Sequence, residues 1–347
     1  MSTLPYPHEF HDVDDETNAR VKRLVPGLAE GAMTIGKDRY FYPKKDHEAF
    51  HKMYNYPLDE RDIWVVTMPK CGTTWTQEMV WLIANDCDFK GAQSNLVPDR
   101  WNFLEMSYLV LASDVRAKSV AWEGIKANPW KMPQILWLGL KMAWPRKYYP
   151  PRFIKSHMPF SMLPPKLLDT CKVVYVARNP KDALVSYYHH HKLIKMMDFE
   201  GTFEEFFDLF LENKVVQAPF MPHVKEAWEK KDHPNLLFLF FEDLKSDLKG
   251  NIRRVGDFLG KTLSEEQVEQ LYEHLKFDNF KKNPYVNNDP LKELGILSTT
   301  GNFVRKGKTG DWKNHFTPEM DARMDAWIKE NLRGTDLSFQ TELKHQD

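Results

Sequence analysis

Cysteine is scarce, with three in 347 residues, at Cys71, Cys87 and Cys171. That is too few, and too scattered, for a disulfide framework or a zinc ligand set. An excess of one charge is also lacking: 48 Lys plus Arg face 49 Asp plus Glu, for a formal charge of −1. This balance argues against a surface built to bind nucleic acid and leaves room for a local basic pocket. No apolar run reaches the ~18 residues of a membrane span, and the best, Ile135–Pro145, is broken by Lys141. Met1–Asp15 has no basic stretch leading into an apolar one, so a conventional secretory signal is not expected. Internal repeats, low-complexity tracts and obvious linkers are missing too. These absences point to a soluble, cytoplasmic chain with no membrane span.

What is present is apolar material for a large core, 42% hydrophobic residues with 13% aromatic. Three short runs, Ile63–Met68, Lys172–Ala177 and Leu236–Phe241, are mostly apolar and fit strands buried on both faces. Arg152–Ile154 has the same character. Helical spacing follows each run: Trp75, Met79 and Leu82 after the first, and residues up to Lys195 after the second. Thr202 with Glu205, and Ser264 with Gln267, form capping-box patterns, and Thr317-Pro318 opens a last helix near Met320–Leu332. Fully apolar strands alternating with helices imply an α/β fold, one domain with a central parallel sheet flanked by helices. Residues 1–40 carry few periodic signals and read as a surface segment, 41–340 as the domain and 341–347 as a tail.

The most informative segment is Pro69-Lys70-Cys71-Gly72-Thr73-Thr74-Trp75, between the first strand and its helix. In a parallel sheet this turn lies at the carboxyl ends of the strands, where ligands bind. A glycine allows close backbone approach, the helix N-terminus offers free N–H groups, and Lys70 adds a full charge, so a phosphate- or sulfate-like anion fits. The spacing is not that of a Walker A loop, because the lysine precedes a lone glycine. A plain strand-to-helix turn capped by Thr73 or Thr74 is the alternative. A phosphatase-type Cys71 nucleophile would need arginine six positions on, and that residue is Gln77.

Lys155-Ser156-His157 follows the Arg152–Ile154 strand and places at its end a side chain suited to take a proton near neutral pH, beside a cation. Arg178 ends the second strong strand, with Ser186 two turns into the next helix. Together they suit a phosphate, or else Arg178 pairs with Asp182. Arg305-Lys306-Gly307-Lys308-Thr309-Gly310 is a basic loop with glycines between its charges. His189-His190-His191 does not suggest a metal site, because consecutive helical residues point about 100° apart.

In this order, over roughly residues 40–340, the segments resemble the cytosolic sulfotransferase family. The resemblance implies that Lys70, Cys71, Gly72, Thr73, Thr74 and Trp75 hold the 5′-phosphosulfate of 3′-phosphoadenosine 5′-phosphosulfate (PAPS), which leaves as PAP. It makes His157 the catalytic base, with Lys70 and Lys155 as its charged partners, and calls for no metal. It assigns the 3′-phosphate to Arg178 and Ser186, completed by Arg305, Lys306 and Gly307. Phe241, Leu275 and Phe277 resemble the adenine-flanking positions, and the nucleotide set extends to Phe280 and Phe303. Cys71 replaces the usual serine, Phe241 stands where tyrosine is common, and Leu275 where threonine or serine is common. The adenine end is therefore expected to rely on stacking. The family's dimer motif is altered here at Pro318 and Ala322, which leaves a homodimer open without implying the usual one.

The stretch Trp101–Tyr149 is longer than in common vertebrate members and carries Trp122, Trp130, Trp137, Trp144, Tyr148 and Tyr149. It resembles the insect branch that includes retinol dehydratase and implies a lid over a long apolar acceptor; a helix packed on the core is the alternative. The function implied is sulfuryl transfer to the hydroxyl of a phenol, steroid, retinoid or other isoprenoid alcohol. Three rivals are weighed: net dehydration through a transient sulfate ester, a non-catalytic binder of apolar molecules, and a magnesium-dependent nucleotide kinase using Asp243.

Overall fold

A computed structural model describes residues 3–44, 47–109, 151–293 and 297–341, together with positions 122–123, 125–126, 130, 132–133, 295 and 343. The first forty residues do more than wrap the surface. Strands β1 (Phe10–Asp12), β2 (Ala32–Ile35) and β3 (Tyr40–Pro43) form a small antiparallel sheet, with Phe10 opposite Ile35 and Ala32 opposite Pro43. The Asp15–Leu24 helix, capped by the Asp14 carboxylate, buries Val21 and Leu24, and these join Ile35, Phe41 and Tyr42 in the main core. These aromatic and branched residues share a core with Trp64 and Tyr175 of later strands, a long-range partnership that local periodicity does not report.

The central sheet contains β4 (Ile63–Val66), β5 (Asn102–Phe103), β6 (Phe153–Ser156), β7 (Lys172–Ala177) and β8 (Leu236–Phe240). They lie in the order β5-β6-β4-β7-β8, and every pair is parallel. Side chains alternate between two cores, as period-two geometry requires. Trp64, Val66, Val173 and Tyr175 enter one, while Val65, Val174 and Val176 enter the other. Helices Thr73–Ala84, Leu248–Leu259 and Glu265–Leu275 cover the second core, and helices Phe203–Leu211, Phe220–Trp228 and Pro318–Asn331 belong to the first.

Both capping boxes form, and Thr317 caps the last helix through the Met320 N–H at 3.2 Å. The Leu236–Phe241 run ends one residue early, because Phe241 opens the Phe241–Ser246 helix. Register decides where the chemistry falls. Val66 pairs with Ser156 and with Tyr175, Phe103 with Lys155, and Ala177 with Phe240. The residues just past these ends, Thr67 to Gly72, Glu105, His157, Arg178 and Phe241, therefore gather at one edge. The strand order also reverses beside β4, the place where open α/β sheets leave a ligand crevice.

Candidate active site

That crevice is a cavity of about 700 Å³. Its floor is the loop after β4, where two residues adopt left-handed backbone, Lys70 at φ 66° and Gly72 at φ 102°. Gly72 opens the Thr73–Ala84 helix without a side-chain cap, so the first N–H groups remain available to an anion. Thr73 Oγ1 lies 2.6 Å from Thr67 Oγ1, and Thr74 lines the cavity. The Lys70 ammonium sits 4.4 Å from the centre of the Phe303 ring. Burial pushes it down to about 7, and Arg178, Lys155 and Arg305 add to that push. Such crowding of cations around an apolar ring is what a site for a multiply charged anion requires.

His157 sits just past the end of β6 and is held on three sides. Its Nδ1 is 2.8 Å from the Thr67 carbonyl oxygen, and only a protonated Nδ1 can make that bond. The proton is therefore on Nδ1 and the lone pair on Nε2. The His157 carbonyl accepts from His223 Nε2 at 3.1 Å, and His223 Nδ1 lies 2.8 Å from the Tyr175 hydroxyl. The His157 N–H donates to Glu105 Oε1. Burial, then Lys155, hold the imidazole well below the usual histidine range, so it is neutral and able to accept a proton. Lys155 lies 4.0 Å from the centre of the Phe103 ring, and burial pushes its ammonium down to about 8 against the pull of Glu105.

At the other end, Arg178 is buried and central. Its Nη1 donates to the Lys70 carbonyl at 3.0 Å and its Nη2 to the Lys308 carbonyl at 3.2 Å, while its Nε has no protein partner. The guanidinium lies 4.2 Å from the centre of Phe241. Pairing with Asp182 does not occur; the Asp182 carboxylate accepts instead from the Gly310 and Trp312 N–H groups. Arg305 lies 2.6 Å from Asp311 and also keeps an unpartnered Nε. Burial would raise the Asp311 carboxyl, but bonds from Lys306, Arg305 and Asn314 outweigh it and hold it well below the carboxylate range. Ser186, Phe277, Phe280, Phe303 and Gly307 complete the wall.

Three residues of the expected set do not reach the cavity. Cys71 turns into the core with Sγ 3.8 Å from the Pro69 carbonyl oxygen, and burial pushes its thiol up to about 12, so it offers no nucleophile. Leu275 is fully buried and acts at one remove: its carbonyl accepts the Trp75 indole N–H at 2.8 Å, fixing a ring that meets Phe241 at 5.7 Å. The Lys306 ammonium is 2.8 Å from Asp311 and lies off the cavity wall. Asp243, the acid a kinase would need, accepts from Gln340 at 3.1 Å and is likewise outside.

Sequence reasoning missed several groups that line the cavity, Glu105 and His190 among them. Glu105 follows a two-residue strand, too short for any periodic signal. His190 belongs to the triplet read as unsuited to a metal: His189 lies 3.0 Å from His315, His191 lines the cavity with its Nδ1 bonded to the Tyr187 carbonyl at 3.0 Å, and His190 lines it too. Its Nδ1 has no partner, and burial together with Lys70 keeps it neutral. The Gly27–Gly31 backbone also forms wall, a further role for the N-terminal segment. Of the expected lid, Trp101 is buried and Trp122 and Trp130 are exposed; Trp137, Trp144, Tyr148 and Tyr149 lie outside the described residues. Among the described residues no three His, Cys, Asp or Glu side chains are placed to hold a metal, and no helix is long and apolar enough to cross a membrane.

A family model described as the sulfotransferase domain matches residues 60–336. Human sulfotransferase 1C2 is 36% identical over 283 residues, 81% of this chain and 86% of that protein. Luciferin sulfotransferase of Photinus pyralis is 35% identical over 300 residues, 83% of this chain and 75% of that protein. The crystal structure of retinol dehydratase with androsterone and the inactive cofactor PAP matches with a TM-score of 0.87 at 36% identity, covering 98% of this chain and 100% of that one. The chain belongs to the sulfotransferase family. It is an enzyme of sulfuryl transfer, and its fold follows that of retinol dehydratase.

Proposed function

We propose that this sulfotransferase moves a sulfuryl group from PAPS to the hydroxyl of a small apolar acceptor, with His157 as general base. The observation that carries this reading is the fixed tautomer: Nδ1–H bound to Thr67 leaves Nε2 of a neutral imidazole as the proton acceptor, beside an anion loop. The donor supplies an activated sulfuryl group and a leaving phosphate. His157 takes the acceptor proton as the oxygen attacks, Lys70 balances charge on the departing oxygen, and Lys155 stands beside it. Positioning and electrostatics do the catalysis, as in phosphoryl transfer. Arg178, Ser186 and Arg305 take the 3′-phosphate, and Trp75, Phe241 and Phe277 flank adenine. The unpartnered Nε atoms of Arg178 and Arg305 fit that assignment. A panel of phenol, steroid, retinoid and isoprenoid alcohols incubated with PAPS and read by mass tests the reading. A sulfate ester on at least one supports it, and none on any would overturn it.

A second reading is favoured by His190, a further neutral imidazole of the cavity whose Nδ1 has no protein partner. An ester formed on an allylic alcohol loses sulfate when a base removes a proton from the neighbouring carbon, leaving an alkene. The same mass measurement separates ester from alkene, and a His190→Phe variant that makes only ester identifies that base. The three unpaired cysteines favour a cytoplasmic setting, in keeping with the resemblance to the cytosolic sulfotransferase family.

Two predictions follow from the loop. Gly72 holds φ 102°, and a Cβ there would lie 2.9 Å from Phe241 Cδ2. Gly72→Ala is expected to weaken PAP about tenfold, since left-handed backbone costs an alanine about 1–2 kcal/mol. Calorimetry gives the answer, and unchanged affinity would mean the free and bound loops carry the same strain. The second concerns pH. Lys70, held near 7 without ligand, is already charged below that value, so binding there takes up no proton. Above it, the bound anion restores the ammonium, a proton is taken up, and affinity falls by up to about tenfold per pH unit. Lys155, near 8, adds to the trend. Proton uptake should grow between pH 6 and pH 9 in buffers of different ionisation enthalpy, and its absence would remove both lysines from the anion site.

A further inference from the structure

We propose that Glu105 is a positioning residue for the transfer, fixing the main chain of His157 and balancing the Lys155 ammonium. The proposal rests on the reading of His157 as base. Glu105 is 3% exposed and lies two residues beyond Phe103, whose place beside Lys155 is set by the β5–β6 register. Because the chain turns into the Leu104–Leu109 helix at that point, the Glu105 carboxylate reaches the His157 N–H. One short segment therefore touches both catalytic groups. Phe103 holds the Lys155 ammonium over its face at 4.0 Å and meets the His157 ring edge-on at 5.3 Å, while Glu105 holds the peptide.

The charge argument agrees with the geometry. Glu105 is the carboxylate that pulls on Lys155. Burial pushes the Glu105 carboxyl up to about 7, opposed by the His157 N–H, Lys155 and Ser156. The two groups are thus coupled, each favouring the charged form of the other against burial. Other titratable groups packed around them are Tyr42 from β3, Lys70 from the loop after β4, His157 and His223 on either side of the bonded peptide, and His190 from the Pro180–Leu193 helix. An anion among these cations has a specific use. It helps Lys155 stay charged beside a neutral imidazole, where unopposed positive charge would strip its proton.

Glu105→Gln and Glu105→Ala separate the two roles, with thermal unfolding as a check on folding. Glutamine keeps an acceptor for the His157 N–H and removes the charge. The basic limb of its kcat–pH profile is expected to move about one unit toward acid, as loss of a close opposite charge requires, while PAP affinity changes less than about threefold. Lys155 Nζ, followed by NMR in the nucleotide-free protein, should titrate lower by a similar amount. Alanine removes the main-chain hold as well and should lower kcat by roughly ten- to a hundredfold, part of it recovered by glutamine. A glutamine profile that overlays the wild type, with Lys155 unmoved, overturns the charge role. Wild-type kcat in the alanine variant overturns the positioning role, and if that variant does not fold, Glu105→Asp, which shortens the reach, takes its place with the same reading. Retained turnover in His157→Ala would overturn the base assignment instead, and the NMR result would still stand or fall by itself.

Discussion

His157→Ala is expected to lower turnover by roughly 10²–10⁴-fold, the usual worth of a positioned general base, while PAP affinity changes less than about twofold. The split follows from where the side chain sits. Its Nδ1–H is consumed by the Thr67 carbonyl, and its main chain by Glu105 and His223, which leaves Nε2 as the ring atom able to accept a proton. Removing the ring takes away that atom and leaves the anion loop and the arginines unaltered. Because burial and Lys155 hold the imidazole well below the usual histidine range, the acid limb of the wild-type kcat profile should also lie below that range. Lowering pH protonates Nε2 and stops catalysis only there. The check is steady-state kinetics from pH 4.5 to pH 9 on both proteins. An alanine variant within threefold of wild type would take the base assignment away from His157.

Arg178→Ala should weaken a 3′-phosphorylated nucleotide about ten- to a hundredfold more than an analogue without that phosphate, since one charge-assisted contact in a closed site is worth about 1.5–3 kcal/mol. The comparison has to be a ratio, because Arg178 also holds the Lys70 and Lys308 carbonyls and so ties the two anion loops together. Losing that tie loosens both loops and weakens both nucleotides. Only the excess loss reports the phosphate. Arg178→Lys should fail almost as badly, because a point charge cannot reproduce a planar fork that meets two carbonyls and an aromatic face at once. Titration of both nucleotides by calorimetry decides it, and equal weakening would move Arg178 away from the 3′-phosphate.

The parallel sheet and its ends were legible in the sequence because strands buried on both faces must be apolar throughout. Lys172–Ala177 kept its expected bounds, and the runs starting at Ile63 and Leu236 kept their starts. Knowing the strand ends was enough to bring Lys70, His157 and Arg178 together, since parallel register aligns them. The N-terminal sheet was not legible. Its strands are three and four residues long and their partners are distant, so neither length nor alternation identifies them. Glu105 escaped for the same reason. Cys71, Leu275 and Lys306 escaped differently: their segments occupy the expected places, but successive side chains of a turn or a helix end diverge, and a motif specifies a backbone path more firmly than the direction of each residue on it. His190 and His191 show the converse, since the spacing that argues against a metal triplet sends His189 to His315 and leaves the other two lining the cavity.

The most direct measurement uses PAPS labelled with ³⁵S in its sulfuryl group, an apolar alcohol and a chelator, following label and PAP together in the wild type and in His157→Ala. The expected result is one PAP for each sulfuryl group leaving the donor, with label on the alcohol, or on free sulfate matched by alkene where elimination follows, and near-complete loss of both in the variant. Label that stays on the donor while the alcohol binds, or transfer that persists without His157, would contradict it.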